Sequence, residues 1–146
     1  LLVWELYKQC AGAGDVVWLE GTGRETRDYL HVDDAASALV ALMTTHAGGA
    51  KYANEATGAD EGNAGGHVVV NVASGVETRV EELAGMVRDL VAPEKEIRCR
   101  GLARAGDPRR WRADVTRLRA LAPTWTPRTL SESLAACVAA WRGEAV

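Results

Sequence analysis

The sequence predicts an α/β fold in which short strands alternate with helices. Three observations support this. Short runs rich in β-branched residues, such as Val16-Val17-Trp18-Leu19 and Val68-Val69-Val70-Asn71-Val72, stand beside turn residues. Stretches with apolar residues at helical spacing lie between them. Two of those stretches open with a capping box, Thr78-Arg79-Val80-Glu81 and Thr129-Leu130-Ser131-Glu132. Strands alternating with helices give an α/β architecture.

In order along the chain, Leu1, Leu2, Leu6 and Cys10 share one helical face, which Gly12-Ala13-Gly14-Asp15 interrupts. Val16–Leu19 reads as a short buried strand that runs into the turn Gly21-Thr22-Gly23, and Tyr29–Val32 as a second extended piece. Asp33 and Asp34 are N-cap candidates for an Ala- and Leu-rich helix from Ala35 to Thr45. From His46 to Gly66 glycine and polar residues dominate. Such a stretch cannot bury enough apolar surface to fix a conformation, so a flexible surface loop is expected over 46–66. His67–Val72 should be a strand buried on both faces. Thr78 then caps an amphipathic helix to Leu90, ended by Pro93. Glu96–Arg100 alternates as a strand does, Asp114 caps a short helix over Val115–Leu121, and Thr129 caps a last helix reaching Trp141.

Composition excludes several classes. The 146 residues suffice for one domain, and a net charge of −3 (17 basic, 20 acidic) does not suggest a polybasic nucleic-acid binder. Cys10, Cys99 and Cys137 are odd in number and lack a Cys-x-x-Cys pair, which argues against a disulfide scaffold or a zinc ribbon. No apolar run reaches the ~20 residues that cross a bilayer. No signal peptide is evident, since Glu5 and Lys8 interrupt the first ten residues. A soluble, cytoplasmic protein is expected. The chain opens Leu1-Leu2-Val3-Trp4 without Met and reads as the interior of a longer one.

Chemistry-bearing residues are few. Gly12-x-Gly14 and Gly21-x-Gly23 lack the third glycine of a dinucleotide fingerprint and read as turns. His31, His46 and His67 have no Cys or carboxylate at ligand spacing, so no metal site is expected. No serine sits in a nucleophile elbow, and no Tyr is followed four residues on by Lys, so no catalytic residue is assigned. Arg27 follows the glycine turn, and Arg104 precedes Gly106-Asp107. Guanidinium forks suit phosphate oxygens, and a carboxylate can accept hydrogen bonds from ribose hydroxyls. The alternative for each arginine is a surface ion pair, for instance with Asp28 or Asp107.

Several segments, in order, resemble the extended short-chain dehydrogenases/reductases, the NAD-dependent epimerase/dehydratase family acting on nucleotide sugars. Gly21–Asp34, with Arg27-Asp28-Tyr29-Leu30-His31-Val32-Asp33-Asp34, resembles that family's G-x-G-x-x-x-R-(D/E)-(Y/F)-(L/I/V)-(H/Y)-V-x-D. Val70-Asn71-Val72-Ala73-Ser74-Gly75-Val76-Glu77-Thr78 is similar to its N-(V/I)-(G/A)-S-G-x-x-x-(S/T) strand and turn, Arg104-Ala105-Gly106-Asp107 to its R-x-G-D, and Asp114–Leu121 to its D-x-(S/T)-(K/R) helix. Trp125-Thr126-Pro127 and the helix after it resemble its W-x-P ending. The chain departs from the family in the length of the Gly-rich loop and in Pro123-Thr124 before the Trp. It also carries extra arginines, Arg109 and Arg110, readable as phosphate contacts or as solvated side chains.

The resemblance implies the C-terminal, substrate-binding portion of a Rossmann-type enzyme, with the N-terminal NAD(P)-binding part missing. It implies that Arg27 and Arg104 bind the substrate diphosphate and Asp107 the ribose. Trp18, Leu19 and Glu20 would pass the nucleotide base, chiefly with backbone groups. NAD or NADP would be bound mainly by the missing part, with no metal, and a homodimer is expected of the full-length enzyme. The expected partner is a nucleotide-sugar substrate, not nucleic acid or a membrane. The fragment alone should be inactive. The competing reading is a stand-alone, non-catalytic nucleotide-sugar-binding or oligomerisation module.

Overall fold

The computed structural model describes residues 2–46, 69–102 and 106–143. Arg104, the Gly-rich stretch 47–66 and the start of the expected strand, His67-Val68, lie outside the described residues. The elements run α1 (Leu2–Ala11), β1 (Val16–Leu19), β2 (Thr26–Arg27), α2 (Val32–His46), β3 (Thr78–Arg79), α3 (Val80–Val91), β4 (Glu96–Cys99), α4 (Thr116–Leu121) and α5 (Leu130–Arg142). They divide into two compact units. One holds α1, β1, β2, β3, α3, β4 and α5; the other holds α2, residues 69–75 and the stretch 113–128 with α4.

The first unit is built around α3. Its stripe Val80, Leu83, Ala84 and Val87 is buried together with Leu6 and Cys10 of α1, Val17 and Leu19 of β1 and Leu134 of α5. β1 pairs with β4 in parallel, Val16 opposite Glu96 and Leu19 opposite Cys99. Alternation along β1 turns Val17 and Leu19 inward and the Trp18 ring outward. On α1 the buried residues are Leu6 and Cys10, with Val3 and Tyr7 packed beside them, whereas Leu2 is exposed. Lys95 fastens the end of α1: its Nζ donates to the carbonyls of Gln9 and Gly12, a cation on helix-end acceptors that lack intrahelical partners. Trp4, Tyr7 and Trp141 form a ring cluster with centroids 5.0–5.4 Å apart, joining α1 to α5.

β2 and β3 are a two-residue antiparallel pair, Thr26 opposite Arg79 and Arg27 opposite Thr78. The glycine turn before β2 is tight. Gly23 adopts φ +78°, and a Cβ there would come 2.8 Å from Cys99 Sγ.

The second unit has a smaller core, Ala38 of α2 with Val115, Leu118 and Ala122. Trp125 packs against it and donates its indole N–H to Ser37 Oγ at 3.0 Å. Asp34 is buried and accepts from Arg128 Nε at 3.1 Å. Gly75 is dictated by close approach: at φ +75° a Cβ would stand 2.6 Å from Val115 Cγ2. The opposite face of α2 is apolar and exposed, with Val32, Leu39, Val40 and Met43 between 54% and 73% accessible.

Several expectations shift. α2 begins at Val32, so Asp33 and Asp34 occupy its first turn, where carboxylates face the positive end of the helix dipole. His31 stands at the cap, and its Nδ1 accepts the Asp33 N–H at 3.2 Å. The extended piece lies at Thr26–Arg27 rather than Tyr29–Val32, because β3 offers partners only there. α3 begins one turn position later than the Thr78 box implies. Arg79 is its N-cap and its N–H donates to Glu82 Oε2 at 3.1 Å, but a guanidinium has no acceptor to return the bond. Residues 69–72 are not a strand: among the described residues no ladder partner flanks them, and Val69 is exposed. Thr129 and Glu132 form the reciprocal box as expected, and Asp114 Oδ1 accepts from Thr116 N–H at 2.9 Å at the start of α4.

Candidate functional site

The site grows out of β2. Antiparallel pairing with β3 occupies one side of Thr26 and Arg27. The stretch Arg109–Trp111 lies along the other: Thr26 N–H donates to Arg109 O at 2.9 Å and Trp111 N–H to Thr26 O at 3.2 Å. Three pieces of chain far apart in sequence are thereby laid side by side.

Arg27 crosses this frame. Its Nη2 meets Asp107 Oδ1 at 2.5 Å, 80 residues away, and its Nη1 donates to the Pro108 and Thr26 carbonyls, each at 2.7 Å. The Arg27 side chain is 21% exposed and that of Asp107 42%, so the pair sits at the surface with its edge open to a solute. Of the residues expected at the diphosphate and ribose, the structure brings Arg27 and Asp107 together; Arg104 lies outside the described residues.

Glu77 and Arg110 complete the frame. Thr26 donates its hydroxyl to Glu77 Oε1, which also accepts from Arg110 Nε at 2.8 Å, while Glu77 Oε2 accepts from Arg110 Nη2 at 2.7 Å. The fork from Arg110, then the Thr26 hydroxyl, hold the Glu77 carboxyl down to about 2. Sequence reasoning assigned Glu77 no role because it falls at an unspecified position of the strand-and-turn segment Val70–Thr78. Arg110 is a largely solvated side chain, as one of the two readings had it, and its guanidinium forks onto Glu77.

Trp18, Leu19 and Glu20 lie together at the end of β1. The Trp18 ring is 39% exposed, with the Arg100 guanidinium 5.1 Å from its centroid, and Arg100 Nε meets Glu20 Oε1 at 2.8 Å. Leu19 is buried. Part of the backbone here has partners: Trp18 N–H and C=O bond the Gln9 amide, and Leu19 C=O accepts the Arg100 N–H. What this stretch presents outward is the Trp18 ring and the Glu20–Arg100 pair.

A sequence profile of the NAD dependent epimerase/dehydratase family matches residues 3–55. The chain is 34% identical to the putative GDP-L-fucose synthase 2 of Arabidopsis thaliana over 113 residues, 77% of this chain and 27% of that protein. It is 33% identical to the UDP-glucose 4-epimerase of Mycolicibacterium smegmatis over 140 residues, 95% of this chain and 38% of that one. The structure of RMD from Pseudomonas aeruginosa complexed with NADPH superposes with a TM-score of 0.72 at 26% identity, covering 98% of this chain and 43% of that one. The chain belongs to the NAD-dependent epimerase/dehydratase family. Its fold is a portion of the Rossmann-type architecture of that family, and it spans between a quarter and two fifths of the length of these curated relatives.

The nicotinamide cofactor of the family has no cradle among the described residues. The turn Gly21-Thr22-Gly23 joins β1 to β2, not to a helix N-terminus whose N–H groups could receive a pyrophosphate. Gly12 follows the end of α1 rather than a strand. These residues do not fit the group, and no step is derived through it.

Proposed function

We propose that this chain is the substrate-binding part of an NAD(P)-dependent nucleotide-sugar epimerase, dehydratase or reductase, and that it holds the nucleotide diphosphate. The observation that carries the reading is the Arg27–Asp107 pair, assembled across 80 residues at an open edge of the β2 frame. A nucleoside diphosphate offers both complements: oxygens that accept from a guanidinium and ribose hydroxyls that donate to a carboxylate. In the ligand's absence each partner neutralises the other. On binding, Arg27 exchanges a carboxylate oxygen for a phosphate oxygen and Asp107 exchanges a guanidinium for hydroxyls, so neither charge is stranded. Each charge-assisted bond formed this way is worth ~1.5–3 kcal/mol before desolvation is subtracted. Arg104, three residues before Asp107, is assigned the second phosphate contact, and Trp18 and Glu20 the base end.

Holding the nucleotide end places the sugar for chemistry done by other groups, which is how binding energy remote from a reacting centre is used. The cofactor supplies hydride transfer when bound elsewhere in the enzyme. The exposed stripe of α2 favours this reading over a stand-alone module, because a helix with two apolar faces is suited to being covered on both. We assign that cover to the cofactor-binding part.

The test is a calorimetric screen of UDP-, GDP-, dTDP- and CDP-sugars on the full-length protein. Arg27→Ala and Arg104→Ala are each expected to weaken diphosphate ligands by on the order of tenfold or more while leaving free sugars unaffected. Equal affinities in the unaltered protein and both variants would remove the assignment.

A further inference from the structure

Resting on the nucleotide-diphosphate reading above, we infer that Glu77 is a positioning residue for that site: it ties Thr26 to Arg110 and so sets the spacing at which Arg27 and Asp107 meet the ligand. Neither Glu77 nor Arg110 belongs to the segments that resemble the family's phosphate or ribose motifs.

The geometry is a closed ring. Arg27 reaches from β2 to the near end of the 107–111 stretch, at Asp107 and Pro108. Glu77 reaches from the residue before β3 to its far end, at Arg110, and back to the Thr26 hydroxyl beside Arg27. Two backbone bonds from Thr26, to Arg109 and Trp111, lie between these clamps. If Arg27 were the only side-chain clamp on the stretch, those two backbone bonds alone would hold it whenever Arg27 turned to a phosphate. Glu77 holds it independently, so Asp107 keeps its place while Arg27 changes partner.

The carboxylate is suited to that task. The Glu77 side chain is only 18% exposed, whereas Arg110 is 80% exposed, so the carboxylate is the fixed point and the guanidinium is drawn to it. A bidentate fork restricts direction as well as distance. After the Arg110 fork and the Thr26 hydroxyl, Arg112 adds a further positive field on Glu77, so the carboxylate stays charged well below the ordinary carboxylate range.

The test uses GDP and UDP titrated calorimetrically into the full-length protein, with Glu77→Gln, Arg110→Gln and the double variant. Glu96→Gln, which breaks an exposed pair with Arg98 on β4, is the control. Each single site variant is expected to weaken GDP or UDP by on the order of tenfold, the double variant no further than the worse single, and the control not at all. In turnover KM should rise while kcat holds, since the reacting end of the substrate is not touched. Hydrogen exchange at the Thr26 and Trp111 amides should quicken in Glu77→Gln. Unchanged affinity in Glu77→Gln, even with a lowered melting temperature, would reduce Glu77 to a structural residue and overturn the inference. Additive losses, or lost affinity without faster exchange, would overturn it in favour of direct contact with the ligand. No binding of GDP or UDP by the unaltered protein would instead defeat the function proposed above, and this inference with it.

Discussion

Where α3 buries Val80, Leu83, Ala84 and Val87 against residues of α1, β1 and α5, α2 buries Ala38 and leaves Val32, Leu39, Val40 and Met43 in solvent. Both helices are apolar on the face that packs, yet they differ in what surrounds them. The unit built on α3 closes its core with large side chains from three other elements. Among the described residues, the cluster that Ala38 of α2 joins is smaller, Val115, Leu118 and Ala122, with partly buried side chains such as Leu42, Val72 and Trp125 against it. A helix rich in Ala and Leu is therefore not by itself evidence of a complete core; what matters is whether side chains on neighbouring elements meet each stripe.

Mutations can break or sharpen this contrast. The largest effect is expected for Leu83→Ala, which opens a cavity in the fully packed unit and should cost about 3 kcal/mol or more in urea unfolding. Asp34→Ala tests the smaller unit at its polar anchor. It removes the nearly buried acceptor of the Arg128 side chain and N–H while the exposed Asp33 stays 3.6 Å from the guanidinium, and a loss of about 1–2 kcal/mol is expected by the same measurement.

Acid should act on the first unit through Glu77. Its folded-state value, about 2, lies below the ordinary 4.5, so between those values the unfolded chain binds more protons than the folded one. Its contribution is complete above pH 4.5 and fades as pH falls toward 2. Melting temperature measured against pH should fall less steeply over that window in Glu77→Gln.

Tyr29→Phe probes the first core more gently. The Tyr29 hydroxyl is buried with no hydrogen-bond partner among the described residues, and burial pushes its ionisation upward. Removing it should leave stability unchanged or raise it by about 1 kcal/mol, read from the unfolding midpoint. The smallest effect is expected for Met43→Gln on the exposed stripe, within about 0.5 kcal/mol in the 146-residue chain. A cost comparable to Leu83→Ala would show that the α2 face is already covered and would erase the contrast.

Legibility followed the range of the interactions. Helix α5 could be read from Thr129 and Glu132 because a capping box closes within four residues, and β1 and β4 from runs whose alternation is local. Boundaries set by distant partners were not legible. Extended chain moved from Tyr29–Val32 to Thr26–Arg27 because β3 lies there, and Val69–Val72 is β-branched without a neighbour to make it a strand. Of the site, Arg27 and Asp107 were legible through their motifs, and their contact was open only as one of two alternatives. Arg110 was legible only as an extra arginine and Glu77 only as an unspecified position of a matched segment, since nothing local pairs residues 33 positions apart.

By itself the sequence determined the α/β class, the helix that ends at Arg142 and the motifs that mark the family, all of which rest on spacings of a few residues. Only the tertiary structure decided that residues 26, 77 and 107–111 share one frame and that Arg27 and Asp107 are partners. A hydrogen bond between residues tens of positions apart depends on where the chain returns in space, and that is fixed by burial of the α3 core rather than by any property of the bonded residues themselves.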